Sequence, residues 1–385
     1  MYVRLGEICD FQSGGTPSKN NQKFFGGDIP WITTVALNGS GIDGSDAVNW
    51  ITEDAIKQSA AKIVPANSIM IGTRVGVGKV AINLVDMSTS QDVVSLIGID
   101  GTRWCKEYLC KCLTGKSQYL NSQARGATIK GIKIDTLANL KIPEIPIEKQ
   151  YEVSRIIDKT RIIIEQRKQE LTNLDELMKA RFVEMFGHET NSNKWDIVKV
   201  EDVADVQVGV VIKPSQYYTN QNNGIRAFRS LNIGAGYIKD TDWVYFTEEG
   251  HQKNAKSILK ENDLIIVRSG TPGTACVVTK EYAGCNAIDI IIAHPNCKKV
   301  NPFYLCAFTN MPHGKKQIDE GIGGAAQQHF NVGKYNKVRL MLPPMELQKE
   351  FEIFVHQVDK SKVAVQKALD ETQLLFDSLM QEYFG

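Results

Sequence analysis

The chain has 385 residues, of which 42% are hydrophobic and 23% charged, with a net charge of +1 at pH 7. That length allows two cores, because single domains mostly run to about 100–200 residues. The balance is that of a soluble globular protein, with no apolar run near the roughly 18 residues of a membrane span.

The opening MYVRLGEICDF has no basic segment followed by an apolar one, so no secretory signal is expected and the cytoplasm is the expected compartment. Eight cysteines (Cys9, Cys105, Cys110, Cys112, Cys276, Cys285, Cys297 and Cys306) form no CxxC pair. Cys110-Lys-Cys112 comes nearest to a ligand spacing, but no histidine lies near it in sequence, so reduced thiols are expected rather than a metal site.

In chain order, residues 13–31 read SGGTPSKNNQKFFGGDIPW, a Gly- and Pro-rich loop ahead of the first clear strand. Short apolar runs follow, SIMIG, KVAINLV and VVSLIGI, set among Gly, Asn, Asp and Pro, and predict a β-rich domain with a helix or two over 1–146. After Pro146, with Glu148 in the first turn, residues 147–187 run without Gly or Pro until Gly187. Such a helix, at about 1.5 Å per residue, is roughly 60 Å long, too long for an ordinary globular helix. Residues 188–344, with LIIVRSG and AIDIIIA, predict a second β-rich domain, and 345–385, after Pro344 and with Glu346, a second long helix.

The chain is therefore written twice. VRLGEICDFQSG at Val3 returns as VKVEDVADVQVG at Val198, and IVPANSIMIGTR at Ile63 as ILKENDLIIVRS at Ile258, both at a spacing of 195. Gln150 and Gln348 stand opposite each other at a spacing of 198, and EMFG at 184–187 matches EYFG at 382–385. In the second helix Val355, Leu369, Phe376 and Tyr383 share one heptad position, with Val358, Val365 and Leu379 three residues later. In the first, Ile157, Ile164, Leu171, Met178 and Met185 recur every seven residues, flanked by Ile156, Ile163 and Leu177. Narrow seams of this kind ask for another long helix. The expected fold is α+β, with two tandem β-rich domains, each followed by a long helix, and the two helices paired as an antiparallel coiled coil with pseudo-twofold symmetry.

Charge is distributed in the same repeating way. Residues 101–141 hold eight basic and two acidic side chains, and 297–339 hold seven and two, whereas the long helices carry no basic excess. Two matched basic stretches suit a twofold polyanion such as duplex DNA, with phosphate contacts giving position and counterion release giving affinity. Side chains able to read base edges cluster nearby: Arg125, Thr128 and Lys130 in one copy, Gln327, Gln328 and His329 in the other. Arg74 and Arg268 occupy near-equivalent places at strand ends, as do Thr33 and Ser230. Either arginine can bind guanine O6 and N7, or pair with a local carboxylate.

Two catalytic resemblances fail. NPFY at 301–304 resembles the NPPY of adenine methyltransferases but lacks its second proline, and no glycine-rich fingerprint for a methyl donor accompanies it, so a helix start is expected there. GTRVGVGKV at 72–80 lacks the Gly-x4-Gly-Lys-Ser/Thr spacing of a phosphate loop, which leaves turn glycines. No catalytic residue, no cofactor-binding residue and no metal ligand is assigned.

A duplicated β-rich domain with each copy followed by a long helix resembles the specificity subunits of type I restriction-modification enzymes. The segments that carry the resemblance are GGTPSKNNQKFFGGDIPWI at 14–32, ANSIMIGTRVGVGKVAI at 66–82, KIPEIPIEKQYEVSRII at 141–157 and LMLPPMELQKEFEIFVHQVDKSK at 340–362. It implies that 1–146 and 188–344 are target recognition domains, each reading half of a bipartite site in double-stranded DNA, and that the helices act as a spacer docking two methyltransferase subunits. Restriction and translocase subunits join for cleavage, and S-adenosylmethionine belongs to the methyltransferase partners, not to this chain. It also implies that the loop from Thr16 to Lys23 faces DNA, with Gly14 and Gly15 permitting the turn and Lys19, Asn20, Asn21 and Lys23 offering contacts. A plain surface loop remains the alternative. In the second copy Lys213, Gln216, Tyr217 and Tyr218 take that place with Gly-Gly-Thr lost, so different half-sites are expected. Lengthening the helices by one turn, about 5.4 Å, should widen the unread gap by one to two base pairs. Two rival readings are a coiled-coil adaptor with protein-binding heads and a self-contained DNA methyltransferase with a fused reader.

Overall fold

The fold was analysed in a computed structural model that describes all residues except 40, 127–130, 189–193, 322–329 and 385. The chain forms two compact units, one of Met1–Lys168 with Lys367–Gly385, the other of Gln169–Gln366. No helix among the described residues is long and apolar enough to cross a membrane.

In the first unit the buried apolar runs build a sheet ordered Asp10–Ser13, Val93–Ile97, Ile69–Gly72, Val80–Asn83, Gly41–Ile42. Its strands are antiparallel except for the last pair. A second sheet is ordered Asn49–Ile51, Phe25–Ile32, Met87–Thr89, Ile63–Val64. Tyr2–Arg4 pairs with Lys141–Pro143, closing the domain next to the start of its long helix. The second unit repeats the plan. Ala204–Val208, Ile290–Pro295, Leu264–Val267 and Ala275–Val277 form one sheet, and Tyr218–Thr219, Val244–Phe246, Ile225–Phe228 and Asn286–Ala287 form another. Asp196–Lys199 pairs with Arg339–Leu342. Asn67 and Asn262 occupy matching turns and both take the left-handed conformation, at φ 62° and 73°.

The two gaps without Gly or Pro are each one unbroken α-helix of 40 residues, Ile147–Phe186 and Met345–Phe384. Glu148 and Glu346 sit in the first turns, where the helix dipole favours an anion, and Gly187, at φ 98°, ends the first helix. Each helix begins in one unit and ends in the other. Inside the first unit, Val153 and Ile157 of one helix join the core that includes Phe376, Leu379 and Phe384 of the other. Inside the second, Phe182 and Phe186 pack on Phe351, at ring distances of 5.5 Å. There Arg181 pairs with Glu350 at 2.8 Å and Lys362 with Asp175 at 2.5 Å, so one number rises as the other falls and the pairing is antiparallel. The heptad series supplies the seam. Ile157, Ile164, Val355, Val358 and Val365 are buried, whereas the flanking Ile156, Ile163 and Leu177 are exposed.

The long helices are tied to their domains by the same device twice. Fully buried Gln150 accepts from the Cys105 amide at 2.8 Å and donates to the carbonyls of Arg103 at 3.0 Å and Ile145 at 2.9 Å. Gln348, also fully buried, accepts from the Asn301 amide at 2.8 Å and donates to the Pro343 carbonyl at 2.7 Å. The phenols of Tyr108 and Tyr304 add hydrogen bonds to the carbonyls of Pro143 and Met341.

Candidate nucleic-acid interface

Strand register brings several loops of the first unit to one end of its main sheet. Ser13 pairs with Val94, Val93 with Gly72 and Ile71 with Val80, so the loops after Ser13 and Gly72 leave side by side. The turn after Ile32 joins them, because the Ser90 amide donates to the Ile32 carbonyl and that of Thr73 to Asp92. The segment 125–133 hangs on the same place. Arg125 and Gly131 exchange two backbone hydrogen bonds of 3.0 Å, and the Ile132 amide donates to Thr73 at 2.8 Å.

Arg74, Gln123, Arg125, Gly131, Ile132, Lys133 and Thr136 line an open cleft of about 550 Å³. Among the described residues no hydrogen bond or ion pair engages the Arg74, Arg125 or Lys133 side chains, which leaves three cations available to an anion or to base acceptors. Thr128 and Lys130 lie outside the described residues.

The opening loop starts at this same end. Gly14 and Gly15 are required by space and not, as the sequence suggests, by turn conformation. A Cβ at Gly14 would lie 2.2 Å from the Ser90 carbonyl, and one at Gly15 2.1 Å from that of Ala60. The Gly14 and Gly15 amides donate to Val93 and Thr89, and the buried Trp31 indole donates to the Gly15 carbonyl at 3.0 Å. From this anchorage Thr16, Lys19, Asn20 and Lys23 are exposed. Asn21 is half-buried and its carboxamide oxygen accepts from the Lys23 amide at 3.2 Å, so that oxygen shapes the loop. Half-buried Thr33 likewise caps its own turn, accepting from the Val35 amide at 3.4 Å.

The second unit presents the equivalent loops. Val208 pairs with Ile291, Ile290 with Val267 and Ile266 with Ala275, while the Ile288 amide donates to Phe228. Gly209 stands where Gly14 does, and a Cβ there would meet the Ala287 carbonyl at 2.3 Å. The register refines two sequence pairings by one residue. Gly72 and Val267 are equivalent, so Arg268 matches Thr73 and Arg74 matches Ser269; Ile32 and Phe228 are equivalent, so Ser230 matches Thr34 and Thr33 matches Arg229.

Of the two arginines it is Arg268 that pairs with a local carboxylate, that of Asp289, and its Nε donates to the Phe330 carbonyl at 3.2 Å. Ser230 is half-buried at the start of a turn. Lys213 is exposed with φ 44°, Gln216 is exposed, and Tyr218 lies partly exposed 6.0 Å from the Phe246 ring. Tyr217 is half-buried at 5.7 Å from that same ring and over Gly250, which makes it chiefly a packing residue. Gln327, Gln328 and His329 lie outside the described residues.

Part of each matched basic stretch is consumed inside its domain. Arg103 pairs with Glu144 at 2.6 Å, Lys111 with Asp158 at 2.9 Å, and Lys116 donates to the Phe384 carbonyl at 3.3 Å. Lys299 donates to the Asp202 carbonyl and Lys315 to the Pro272 carbonyl, and burial pulls Lys315 below the ordinary lysine value. Counting charge along the chain thus overstated the number of cations free to meet phosphate. NPFY is a helix start: Asn301 caps the helix Pro302–Asn310 by accepting from the Phe303 and Tyr304 amides, and Tyr304 is fully buried. Gly76 and Gly78 take φ 65° and 81° in the turn between strands, as turn glycines should. Burial pushes the thiols of Cys9, Cys112 and Cys306 up to about 12, which keeps them protonated and unreactive.

Comparison with known proteins places this architecture. The family model for the type I restriction modification DNA specificity domain matches residues 1–173 and again 192–372. The chain belongs to the type I restriction-modification specificity family. It is 23% identical over 400 residues to the MjaIX specificity subunit of Methanocaldococcus jannaschii, covering 98% of this chain and 90% of that one. It is 32% identical over 165 residues to the EcoR124I/EcoR124II specificity subunit of Escherichia coli, a match covering 41% of this chain and 40% of that one. The crystal structure of the S subunit from M. genitalium superposes with a TM-score of 0.62 at 14% identity, covering 100% of this chain and 96% of that one. A chain from a structural study of complex assembly and conformational transition of the type I R-M system superposes with a TM-score of 0.64 at 18% identity, covering 100% and 97%.

Within this specificity subunit the structure adds loop-end residues that sequence reading passed over. Exposed Val35 and Leu231 occupy equivalent places in the turns after Ile32 and Phe228, and Asp289 sits beside Arg268. An apolar residue on a tight exposed turn was the only sequence signal for the first two. Asp289 gave none, because its role depends on a neighbour 21 positions away.

Proposed function

We propose that this specificity subunit selects the DNA sequence on which a type I restriction-modification complex acts, each unit reading one half of a bipartite site. The observation that carries the reading is the recurrence in both units of one sheet end where independent loops converge, while the residues on those loops differ between copies. Arg74, Arg125 and Lys133 in the first unit, which have no side-chain partner among the described residues, supply donors for phosphate oxygens or guanine edges. The loop bearing Thr16, Lys19, Asn20 and Lys23 adds exposed polar groups beside them.

The long helices are the docking elements for two methyltransferase subunits and, through the assembled complex, for restriction subunits. Exposed apolar side chains on the helices support this part, Ile156, Ile162, Ile163, Leu374 and Leu375 in the first unit and Leu177, Ile353 and Val363 in the second. Methyl transfer, with S-adenosylmethionine as donor, belongs to the partners, and this chain carries out no catalysis of its own.

The test is methylation mapping of a host genome expressing the methyltransferase partners with and without this chain. A split motif methylated only when the chain is present is the expected result. Methylation unchanged by its loss, or methyl transfer by the purified chain alone, would refute the reading. Exchanging residues 14–23 should change one half-site and leave the other.

A further inference from the structure

In both units an aspartate precedes the second strand of the main sheet, Asp92 before Val93 and Asp289 before Ile290. What faces it differs. In the first unit Thr73 meets Asp92 only through the Asp92 backbone carbonyl. In the second, Arg268 holds the Asp289 carboxylate through Oδ1 while its own Nε is fixed on the Phe330 carbonyl. The arginine side chain is only 16% exposed and the aspartate 46%, so the cation is spent inside the fold and the carboxylate is what remains at the surface. Asp289 Oδ2 takes no hydrogen bond from any described residue. The backbone of Asp289 is left-handed, at φ 48°, a conformation aspartate tolerates, and its amide is held by donating to the Val210 carbonyl at 3.1 Å.

A fixed, half-exposed acceptor at a DNA-facing loop end has a defined complement. Exocyclic amino groups, N4 of cytosine and N6 of adenine, are the major-groove donors, and carboxylates accept from cytosine N4. A mobile carboxylate would be repelled by the phosphates, but one half-neutralised by an arginine in a fixed geometry loses much of that penalty.

We propose that Asp289, positioned by Arg268, is a base-reading acceptor of the second unit and requires an amino-bearing base at one position of its half-site. The inference rests on the DNA-reading function proposed above. The first unit, whose equivalent of Arg268 is Thr73 and whose Arg74 has no side-chain partner among the described residues, then reads with donors at the corresponding end. The two half-sites differ in hydrogen-bonding polarity as well as in sequence.

The test is methylation mapping with the complete chain and its methyltransferase partners, comparing wild type with Asp289→Asn, Asp289→Glu and Arg268→Lys. Asp289→Asn keeps the shape but adds a donor, Asp289→Glu moves the acceptor, and Arg268→Lys keeps the charge but loses the fork. Each should lower discrimination about five- to hundred-fold at one position of one half-site, with the other half-site unchanged. Loss confined to the same position in Arg268→Lys identifies a positioning residue, which a merely structural role would not produce. Retention of the parental motif at every position by both Asp289 variants would overturn the proposal, as would equal loosening of both half-sites. Failure of both variants to accumulate would make Asp289 a folding residue and would overturn it too. A wild-type chain that directs no split motif would sink the preceding reading along with this one.

Discussion

Replacing Gln150 with Leu should loosen the first long helix from its domain while barely changing the volume filled. The Gln150 carboxamide is fully buried and makes three hydrogen bonds, one from the Cys105 amide and two to the carbonyls of Arg103 and Ile145. With leucine there, the buried Cys105 donor is left without its acceptor, and an unsatisfied buried polar group costs about 1–3 kcal/mol. The two carbonyls lose a donor as well, which brings the expected loss to about 2–4 kcal/mol. That is a large part of the net stability of about 5–15 kcal/mol typical of a domain. Urea unfolding combined with hydrogen exchange of peptides spanning 103–113 and 147–157 measures the loss where it arises. Gln348→Leu repeats the defect at Asn301 and Pro343 with one acceptor fewer, so its effect on the second unit should be smaller. A change below about 1 kcal/mol for Gln150→Leu would refute the reasoning, because it would mean that water or a shifted backbone satisfies those groups without penalty.

Gly14→Ala and Gly209→Ala drive a Cβ into backbone carbonyls at 2.2 and 2.3 Å and should lower the thermal midpoint far more than Gly26→Ala. At Gly26 the space is open, and only the left-handed φ of 81° penalises alanine, by about 1–2 kcal/mol. For Asp359, burial first, opposed by Lys362 and His356, raises the carboxyl above 3.8. Between 3.8 and that raised value the folded state binds more protons than the unfolded one, so this group's contribution to stability falls as pH rises through the window. Asp359→Asn should therefore be more stable than wild type at neutral pH, with the advantage vanishing below 3.8 in pH-dependent urea titrations. Inserting one heptad in each long helix, after Lys168 and after Gln366, adds about 10 Å of helix and keeps the seam in phase. The unread gap in the methylated motif should lengthen by about three base pairs, and a parental gap would contradict the spacer reading.

The scaffold was legible because its causes are local or periodic. Two stretches free of Gly and Pro became two 40-residue helices, and the heptad positions Ile157, Ile164, Val355, Val358 and Val365 became their buried seam. The candidate surface was less legible because it depends on partners distant in sequence. Lys111 adds to the basic count along the chain but meets Asp158 in the fold, and the choice for Arg268 between a guanine edge and a local carboxylate depends on Asp289, 21 positions away. The resemblance implies a turn role for Gly14, whereas its reason is the Ser90 carbonyl, which a Cβ there would meet at 2.2 Å and which another strand end contributes.

A duplicated chain carries its own control for separating scaffold from reader. Positions that keep both residue and bonding role across copies hold the architecture. Gln150 and Gln348 fasten the helices, Tyr108 and Tyr304 bind the closing strands, and Gly14 and Gly209 admit the close approach beside the loops. Positions that keep their place but change chemistry lie on the loops that meet at one end of each main sheet: Thr73 against Arg268, Arg74 against Ser269, Thr33 against Arg229. If those loops served only to close strands, the two copies would have had the same physical reasons to keep the same residues, as they did at the glutamines. Their divergence on an otherwise repeated frame is what the proposed reading of two half-sites requires, since a shared frame would fix where a base edge is met and the side chain would decide which base satisfies it.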